Sequence, residues 1–375
     1  MKKKSIVLII LTGIALIISA FFIFLQKDNI NAVTDNSSKQ DIVDIEVKKE
    51  KKTPPEQVKG IYITAYTTTL SGKMEYLLNL IEDTELNAVV IDIKDYSGKV
   101  LYDSNVDIAN QYGLDKNILG DVHGLLEMLH EHGVYVIARQ TVFQEPILAE
   151  KNPSLAFKKV GGGLWRDYKG LAWVDSSNKE VWDYNVAIAK EAIDLGFDEI
   201  NFDYVRFPSD GNLKTIIFTH GDKEKYDVMG EFYQYLNQQL SDQPAWISLD
   251  FFGFVMERHD GINIGQRLED AVDYVDFISP MMYPSHYPAG HLGLANPAAA
   301  PYVVIHNGME KGIPYFEGKR AKVRPWIQAF DIGAQYGATN IRAQIDAIEE
   351  FENGGWLLWN ASNRYSSEGL EGSGS

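Results

Sequence analysis

The chain has 375 residues and a formal net charge of −17, with 52 Asp and Glu against 35 Lys and Arg. That balance argues against a nucleic-acid partner, because phosphate binding needs clustered Lys and Arg. No Cys is present, which excludes disulfides, thiolate zinc sites and a lipidated cysteine anchor.

The N-terminus carries the localisation signal. Lys2, Lys3 and Lys4 precede an uncharged apolar run over 6–25. At ~1.5 Å per residue a helix of that length covers ~30 Å, the bilayer core. The positive flank places the remainder outside the cytoplasm. A secretory signal peptide is the rival reading, but its apolar region is normally ~7–15 residues and ends at a small-x-small site, and no good site follows this run. Residues 1–25 are therefore expected to be a membrane anchor, or a cleaved signal in a secreted protein. Residues 26–57 hold many charges and no aromatic residue, ending in Lys51-Lys52-Thr53-Pro54-Pro55, and read as a disordered linker. Residues 366–375, rich in Ser, Gly and Glu, read as a flexible tail.

Between them, over 58–365, strand and helix signals alternate. A first strand spans 58–64 and a helix 73–83. The second strand is 87–94, followed by a polar excursion over 95–120. Asp121 caps a helix whose Val122, Leu125, Leu126 and Leu129 share a face, and Gly133 ends it. The third strand is 134–139, followed by a long segment over 140–177. The next helix, 178–195, buries Trp182, Val186, Ala189 and Ile193 and stops at Gly196.

The fourth strand, within 196–208, is unusual. Glu199, Asn201 and Asp203 share one side at the strand period of two, and Ile200, Phe202 and Tyr204 the other. A polar inner face suits a closed parallel barrel whose outer face packs on helices. A helix over 222–240 follows. Strands over 245–254, 275–284, 323–330 and 355–361 alternate with helices over 296–309 and 340–351. Eight strand–helix alternations predict a (β/α)8 TIM barrel with long loops. An open doubly wound sheet is the alternative, but no glycine-rich phosphate turn follows the first strand.

In such a barrel the C-terminal strand ends converge on one mouth. They offer Asp92 on the second strand, Arg139 on the third, Asp203 and Arg206 on the fourth and Asp250 on the fifth. Tyr283 and His286 follow on the sixth, Trp326, Gln328 and Asp331 on the seventh, and Trp359 and Asn360 on the eighth. Acids, aromatic faces and amides together suit a carbohydrate. Asp203 and Asp250 are the catalytic candidates, since each interrupts an apolar run on adjacent strands; the others are candidate substrate ligands. Asp92 is divided between a site role and an ion pair with Lys94 or Arg139. No cofactor or metal is expected. A metal-dependent deacetylase or amidohydrolase would need paired His at strand ends, but His130-Glu131-His132 lies at a helix end and His286 and His291 in a loop. A non-catalytic carbohydrate-binding envelope protein is the other alternative.

Five stretches carry a family resemblance: Val58-Lys59-Gly60-Ile61-Tyr62; Val90-Ile91-Asp92-Ile93-Lys94-Asp95; Phe202-Asp203-Tyr204-Val205-Arg206-Phe207-Pro208; Ser279-Pro280-Met281-Met282-Tyr283-Pro284-Ser285-His286-Tyr287; and Leu357-Leu358-Trp359-Asn360-Ala361. Over 58–364 the chain resembles a bacterial family described as a putative glycoside hydrolase domain, formerly domain of unknown function 4015. The resemblance implies a TIM barrel and hydrolase activity without assigning a substrate. Two better-known families differ on strand four. In chitinase-like family 18 enzymes the strand ends in a catalytic Glu, and Val205 stands there, which removes their proton donor. In α-amylase-like barrels Gly196-Phe197-Asp198 matches and Asp203 takes the nucleophile position, although Asn201 replaces an Arg. Asp250 lies near their strand-five acid, and Asp331 near their third acid. The resulting expectation is two-carboxylate hydrolysis of an extracellular or cell-envelope polysaccharide, with Asp203 as nucleophile or base and Asp250 as acid.

Overall fold

Period-two alternation of buried residues produces eight parallel strands: β1 (Val58–Ile63), β2 (Ala88–Lys94), β3 (Tyr135–Thr141), β4 (Glu199–Asp203), β5 (Trp246–Phe252), β6 (Phe277–Met281), β7 (Trp326–Gln328) and β8 (Gly355–Trp359). The computed structural model describes Lys51 and residues 53–374. Each strand pairs with the next, β8 pairs with β1, and β6 reaches β7 through Met281 and Trp326, so the sheet closes on itself. This is the expected TIM barrel. Val58, Tyr62, Ala88, Val90, Ile137 and Leu357 pack inside it, while Ile61, Val89, Ile91, Ile200 and Leu249 pack outward in the larger core. Gly60 lies where β8, β1 and β2 crowd together. A Cβ there would meet Leu357 Cδ2 at 2.8 Å and Ala88 Cβ at 3.2 Å.

Six helices of ten or more residues cover the outside: α1 (Ser71–Asp83), α2 (Val122–Glu131), α3 (Lys179–Leu195), α4 (Lys225–Leu240), α5 (Pro301–Gly312) and α6 (Ala338–Glu349). Asp121 accepts from Gly124 N to cap α2. Asn178 caps α3, and Gly196, at φ 110°, ends it in the left-handed conformation that glycine tolerates without a Cβ penalty.

The strict alternation predicted from the sequence fails between β5 and β6. That connection consists of short 3₁₀ turns, Gly253–Met256, Gly261–Asn263 and Leu268–Asp270, with Ile262 and Asn263 at positive φ. The predicted seventh strand is cut in two. Lys322–Val323 pairs with β6, and the chain resumes as β7 after Pro325, which has no N–H to give to a ladder. The polar excursion after β2 contains a short helix, Asp107–Tyr112, and the long segment after β3 contains another, Pro146–Lys151.

The segment expected to be a flexible tail is tied to α1 and α6. Glu371 N donates to Glu85 Oε1 at 2.9 Å, Ser373 N to Asp83 O at 3.2 Å, and Arg342 Nε to Gly369 O at 2.9 Å. The predicted anchor, and all of the predicted linker before Lys51, lie outside the described residues. Lys51 itself sits 3.4 Å from Asp276 and 4.9 Å over the Trp246 ring. Among the described residues, no helix is long and apolar enough to cross a membrane.

Candidate active site

The inward positions near the C-terminal strand ends are Tyr62, Asp92, Arg139, Asp203, Asp250, Trp326 and Trp359. Inside a barrel every second residue of every strand points to the same axis, so side chains far apart in sequence meet there. Register makes Asp92 face Arg139 across β2 and β3, and Phe202 face Leu249 across β4 and β5, which sets Asp203 beside Asp250.

Arg139 is the electrostatic centre. Its Nη1 donates to Asp92 Oδ1 at 2.6 Å and its Nη2 to Asp203 Oδ2. The guanidinium lies 5.7 Å from the Tyr62 ring and 5.3 Å from the Trp359 ring, which stack on each other 4.1 Å apart. Burial by itself would lower the Arg139 pKa, but the Asp203 and Asp92 charges outweigh it and hold the group well above its ordinary value. Asp92 is therefore an ion-pair partner of Arg139, not of Lys94. Tyr62 Oη donates to its other oxygen at 2.5 Å. Burial pushes the Asp92 pKa up, opposed by the Arg139 charge. A register shift between Asp92 and Lys94 turns Lys94 out of the barrel, where it pairs with buried Glu145.

Asp203 Oδ1 accepts from the Tyr204 backbone N–H at 2.6 Å. Tyr204, the residue just after the strand, has φ 55°, an uncommon conformation for a large side chain. Asp250 is 2 % exposed. Its Oδ1 accepts from Asn201 Nδ2 at 2.9 Å and Trp326 Nε1 at 2.7 Å. Its Oδ2 stands 3.9 Å from Arg139 Nε, too far for a hydrogen bond. Burial raises the Asp250 pKa to about 8, with the nearby Asp203 charge adding to the rise and Arg139 opposing it.

A buried polar column beneath the site fixes the donors to one Asp250 oxygen. Arg324 engages Glu199 with both terminal nitrogens, and Ser248 Oγ donates to Glu199 Oε1 at 2.5 Å. With its proton committed, Ser248 Oγ accepts from Asn201 Nδ2 at 3.0 Å. The Asn201 amide nitrogen therefore points at Asp250 Oδ1. That oxygen has two donors, whereas the nearest cation nitrogen to Oδ2, Arg139 Nε, stands 3.9 Å away.

A cavity of about 150 Å³ opens over these groups, lined by Arg139, Asp203, Arg206, Asp250, Tyr283 and Trp359, among others. Trp326 also lines it and meets Trp359 edge-on at 5.5 Å. Arg206 does not pair with Asp203. Its guanidinium lies 4.7 Å from the Phe252 ring and 5.0 Å from Trp173, and it donates to Ser209 Oγ at 3.1 Å.

Four predicted ligands lie elsewhere. Gln328 is fully buried and holds the loops after β6 and β7, accepting from Ser285 N at 3.0 Å and donating to Phe330 O at 2.9 Å. Asn360 donates to Ala329 O and accepts from Ser362 N. Asp331 is exposed and accepts from Tyr336 N at 2.7 Å. Gln328 and Asn360 spend their polar side-chain atoms on the loops they fasten, and Asp331 is not on the cavity wall. His286 lines a neighbouring cavity instead. Conversely, Tyr62, Asn201, Phe252 and Met281 were not singled out as site residues. The period-two pattern could have found Asn201, which shares the Asp203 face, and Phe252, which shares the Asp250 face; nothing local marks Tyr62 and Met281.

His130 Nε2 is 2.8 Å from Asp198 Oδ2, just before β4 and so at the barrel end opposite the mouth, and His132 pairs with Glu82. His291 lies 3.2 Å from Glu257. Among the described residues, no group of three or more His, Asp and Glu is placed to hold a metal ion.

The family model described as "Putative glycosyl hydrolase domain", domain of unknown function 4015, matches residues 60–365. The chain belongs to this family. A hypothetical protein of known structure from Ruminiclostridium thermocellum is 40% identical over 51% of this chain and 96% of its own, with a TM-score of 0.48. The PgaB (BpsB) glycoside hydrolase domain from Bordetella bronchiseptica is 12% identical and covers 82% of this chain and 94% of its own, with a TM-score of 0.57. An α-galactosidase from Thermus thermophilus, in complex with p-nitrophenyl α-D-galactopyranoside, is 12% identical and covers 86% of this chain and 61% of its own, with a TM-score of 0.54. At that identity the last two share the fold. No match is found among curated proteins. Membership of the family and the barrel together support a general glycoside hydrolase role.

Proposed function

We propose that this chain hydrolyses a glycosidic bond in an extracellular or cell-envelope polysaccharide, with Asp203 as nucleophile and Asp250 as proton donor. One observation carries the reading. Two carboxyl groups on neighbouring strands face one cavity, one engaged by a guanidinium and the other buried with its pKa raised to about 8. A protonated acid beside a charge-supported carboxylate is the division of labour that glycoside hydrolysis requires.

The Asp203 carboxylate attacks the anomeric carbon as the bond to the leaving oxygen breaks, and Asp250 Oδ2 gives that oxygen its proton. Asp250, now ionised, then takes a proton from water, which displaces Asp203 from the sugar and restores both groups. Retaining enzymes hold their two carboxyls ~5–5.5 Å apart and inverting ones ~6.5–9.5 Å, and a glycosyl-enzyme formed on Asp203 requires the shorter separation. Trp359, Trp326 and Tyr283 offer ring faces to sugar C–H surfaces, and Arg206 offers donors at the rim. The anchor read from residues 1–25 would hold the barrel outside the cytoplasm, where such polymers lie.

The test is Asp203→Asn, assayed with whichever of a panel of p-nitrophenyl glycosides and oligosaccharides the wild type cleaves. The expected result is a folded protein with kcat lowered by several orders of magnitude. Full activity in folded Asp203→Asn would overturn the assignment. Azide added to Asp203→Gly should restore turnover and release a glycosyl azide of inverted anomeric configuration.

A further inference from the structure

Two guanidinium groups line the cavity, and they are not alike. Arg139 is bound to two carboxylates. Arg206, 7 % exposed, is bound to none among the described residues. Its Nη1 donates to Ser209 Oγ at 3.1 Å and to Phe207 O at 3.4 Å. Its Nε and Nη2 donate to no protein atom and are not among the atoms sealed from solvent, so this edge of the group opens on the cavity that Arg206 lines.

The acids nearest to Arg206 are engaged elsewhere. Asp203 is held by Arg139 and by the Tyr204 N–H. Asp167 accepts from the Leu171 N–H at 2.9 Å and from Trp173 Nε1 at 3.1 Å. Asp210, exposed, accepts from the Tyr168 N–H at 3.1 Å. Burial accordingly pulls the Arg206 pKa below its ordinary value, whereas the acids on Arg139 outweigh burial there. Buried charges are normally paired, so one left without a partner on a cavity wall calls for an anion from outside.

The surroundings hold the group ready. The Phe252, Tyr204 and Trp173 rings lie 4.7, 4.9 and 5.0 Å from the guanidinium, and such contacts fix its position without using its N–H groups. The Phe207 N–H donates to Ile264 O at 2.9 Å and fastens the backbone beside it. With Nη1 tied to Ser209, the free pair is the side-on edge of the fork, whose two N–H groups match the two oxygens of a carboxylate. Arg267 uses the same edge on Asp270, at 2.6 and 2.7 Å. A sugar hydroxyl would accept one such bond and leave the charge uncompensated.

Resting on the reading that this cavity binds a saccharide, we propose that the Nε and Nη2 edge of Arg206 receives the carboxylate of an acidic sugar, so that the polysaccharide carries uronic acid residues. The net charge of −17 opposes such a polymer only through surface charges that salt screens beyond ~8 Å, and a buried contact is screened far less.

The experiment separates binding from turnover. Methyl glucuronides and galacturonides of both anomers, their neutral methyl esters and the parent methyl glycosides are titrated into the wild type, Arg206→Met and Arg206→Lys by ligand-observed NMR, with Tm measured for each protein. The wild type is expected to bind at least one acid roughly tenfold or more tightly than its own ester and parent glycoside. Arg206→Met, whose unbranched chain fits among the same rings, should lose that preference. Arg206→Lys should keep a small part of it, because an ammonium offers a point charge instead of a fork. The comparison of acid with ester needs the wild type alone, so it decides the matter even where a variant does not fold. Acids bound no more tightly than their esters by the wild type, or a preference that survives in folded Arg206→Met, would overturn the proposal. A preference for the acid in a wild type that cleaves neither neutral nor acidic p-nitrophenyl glycosides would sink the hydrolase reading and leave the carboxylate site standing. Cleavage of neutral glycosides with no preference for the acid would do the reverse.

Discussion

Asp250→Asn should make the protein more stable at neutral pH while abolishing its activity. The asparagine amide imitates the protonated acid, with Oδ1 still accepting from Asn201 and Trp326 and the NH₂ in place of the Oδ2 hydroxyl. In the folded wild type the Asp250 pKa is raised to about 8 by burial and the Asp203 charge, whereas an unfolded Asp titrates near ~3.9. Below that lower value both states hold the proton and the substitution has no pH-dependent effect. Above it the unfolded chain releases the proton and the folded one keeps it, so wild-type stability falls as pH rises toward 8. At pH 7 the difference is about three pKa units, worth on the order of 4 kcal/mol, which the asparagine variant does not lose. For a barrel of this size that corresponds to a Tm about 5–6 °C higher at pH 7, shrinking to nothing near pH 4. Differential scanning calorimetry of both proteins from pH 4 to 8 measures it. A Tm difference that does not grow with pH would mean that Asp250 is ionised at neutrality and is not the proton donor.

The same titration predicts that wild-type kcat/KM falls on a basic limb near pH 8, read from a pH–rate profile and absent in no active variant that keeps Asp250. Arg139→Leu strands two buried carboxylates, Asp92 and Asp203, and should destabilise the fold by ~3–5 kcal/mol in urea unfolding; Arg139→Lys should recover little, since a point charge cannot span both acids as the guanidinium fork does. Ser248→Ala removes the acceptor that orients the Asn201 amide, so kcat should drop about tenfold and the basic limb should move up, because the donor that favours ionised Asp250 is weakened; an unchanged profile would refute the role of the column. If residues 1–25 tether the protein, membrane fractions should retain the full-length chain, whereas a soluble product beginning after Leu25 would show a cleaved signal.

Much of the barrel is legible in the chain because a closed parallel sheet imposes local rules. Each strand must alternate, each helix must bury one stripe, and helix ends need Asp121, Asn178 or Gly196. The alternation on β4 placed Glu199, Asn201 and Asp203 on the inner face, and the strand-end rule brought Asp203, Asp250, Arg139, Trp326 and Trp359 to one mouth. Where local chemistry competes with the pattern, the pattern misleads. Pro325 interrupts the seventh strand, and between β5 and β6, where the chain shows no helical stripe, short turns with left-handed Ile262 and Asn263 make the connection.

What only the tertiary structure decided is which groups meet. Gln328, Asp331 and Asn360 look like ligands by position, yet Gln328 and Asn360 spend their polar atoms on loop contacts and Asp331 accepts from its own loop away from the cavity wall. Asp92 had two cations within reach along the chain, and a register shift turned Lys94 outward and left Arg139 as its partner. Tyr62, at the far end of the sequence from Trp359, stacks on it because β8 closes against β1. The raised pKa of Asp250 comes from burial and from a neighbour 47 positions earlier in the chain, and the donor on its Oδ1 from Ser248 acting through Asn201. Sequence specifies which residues face the axis, because period is a local property. Pairing, desolvation and proton position depend on distances between strands, and those exist only once the barrel has closed.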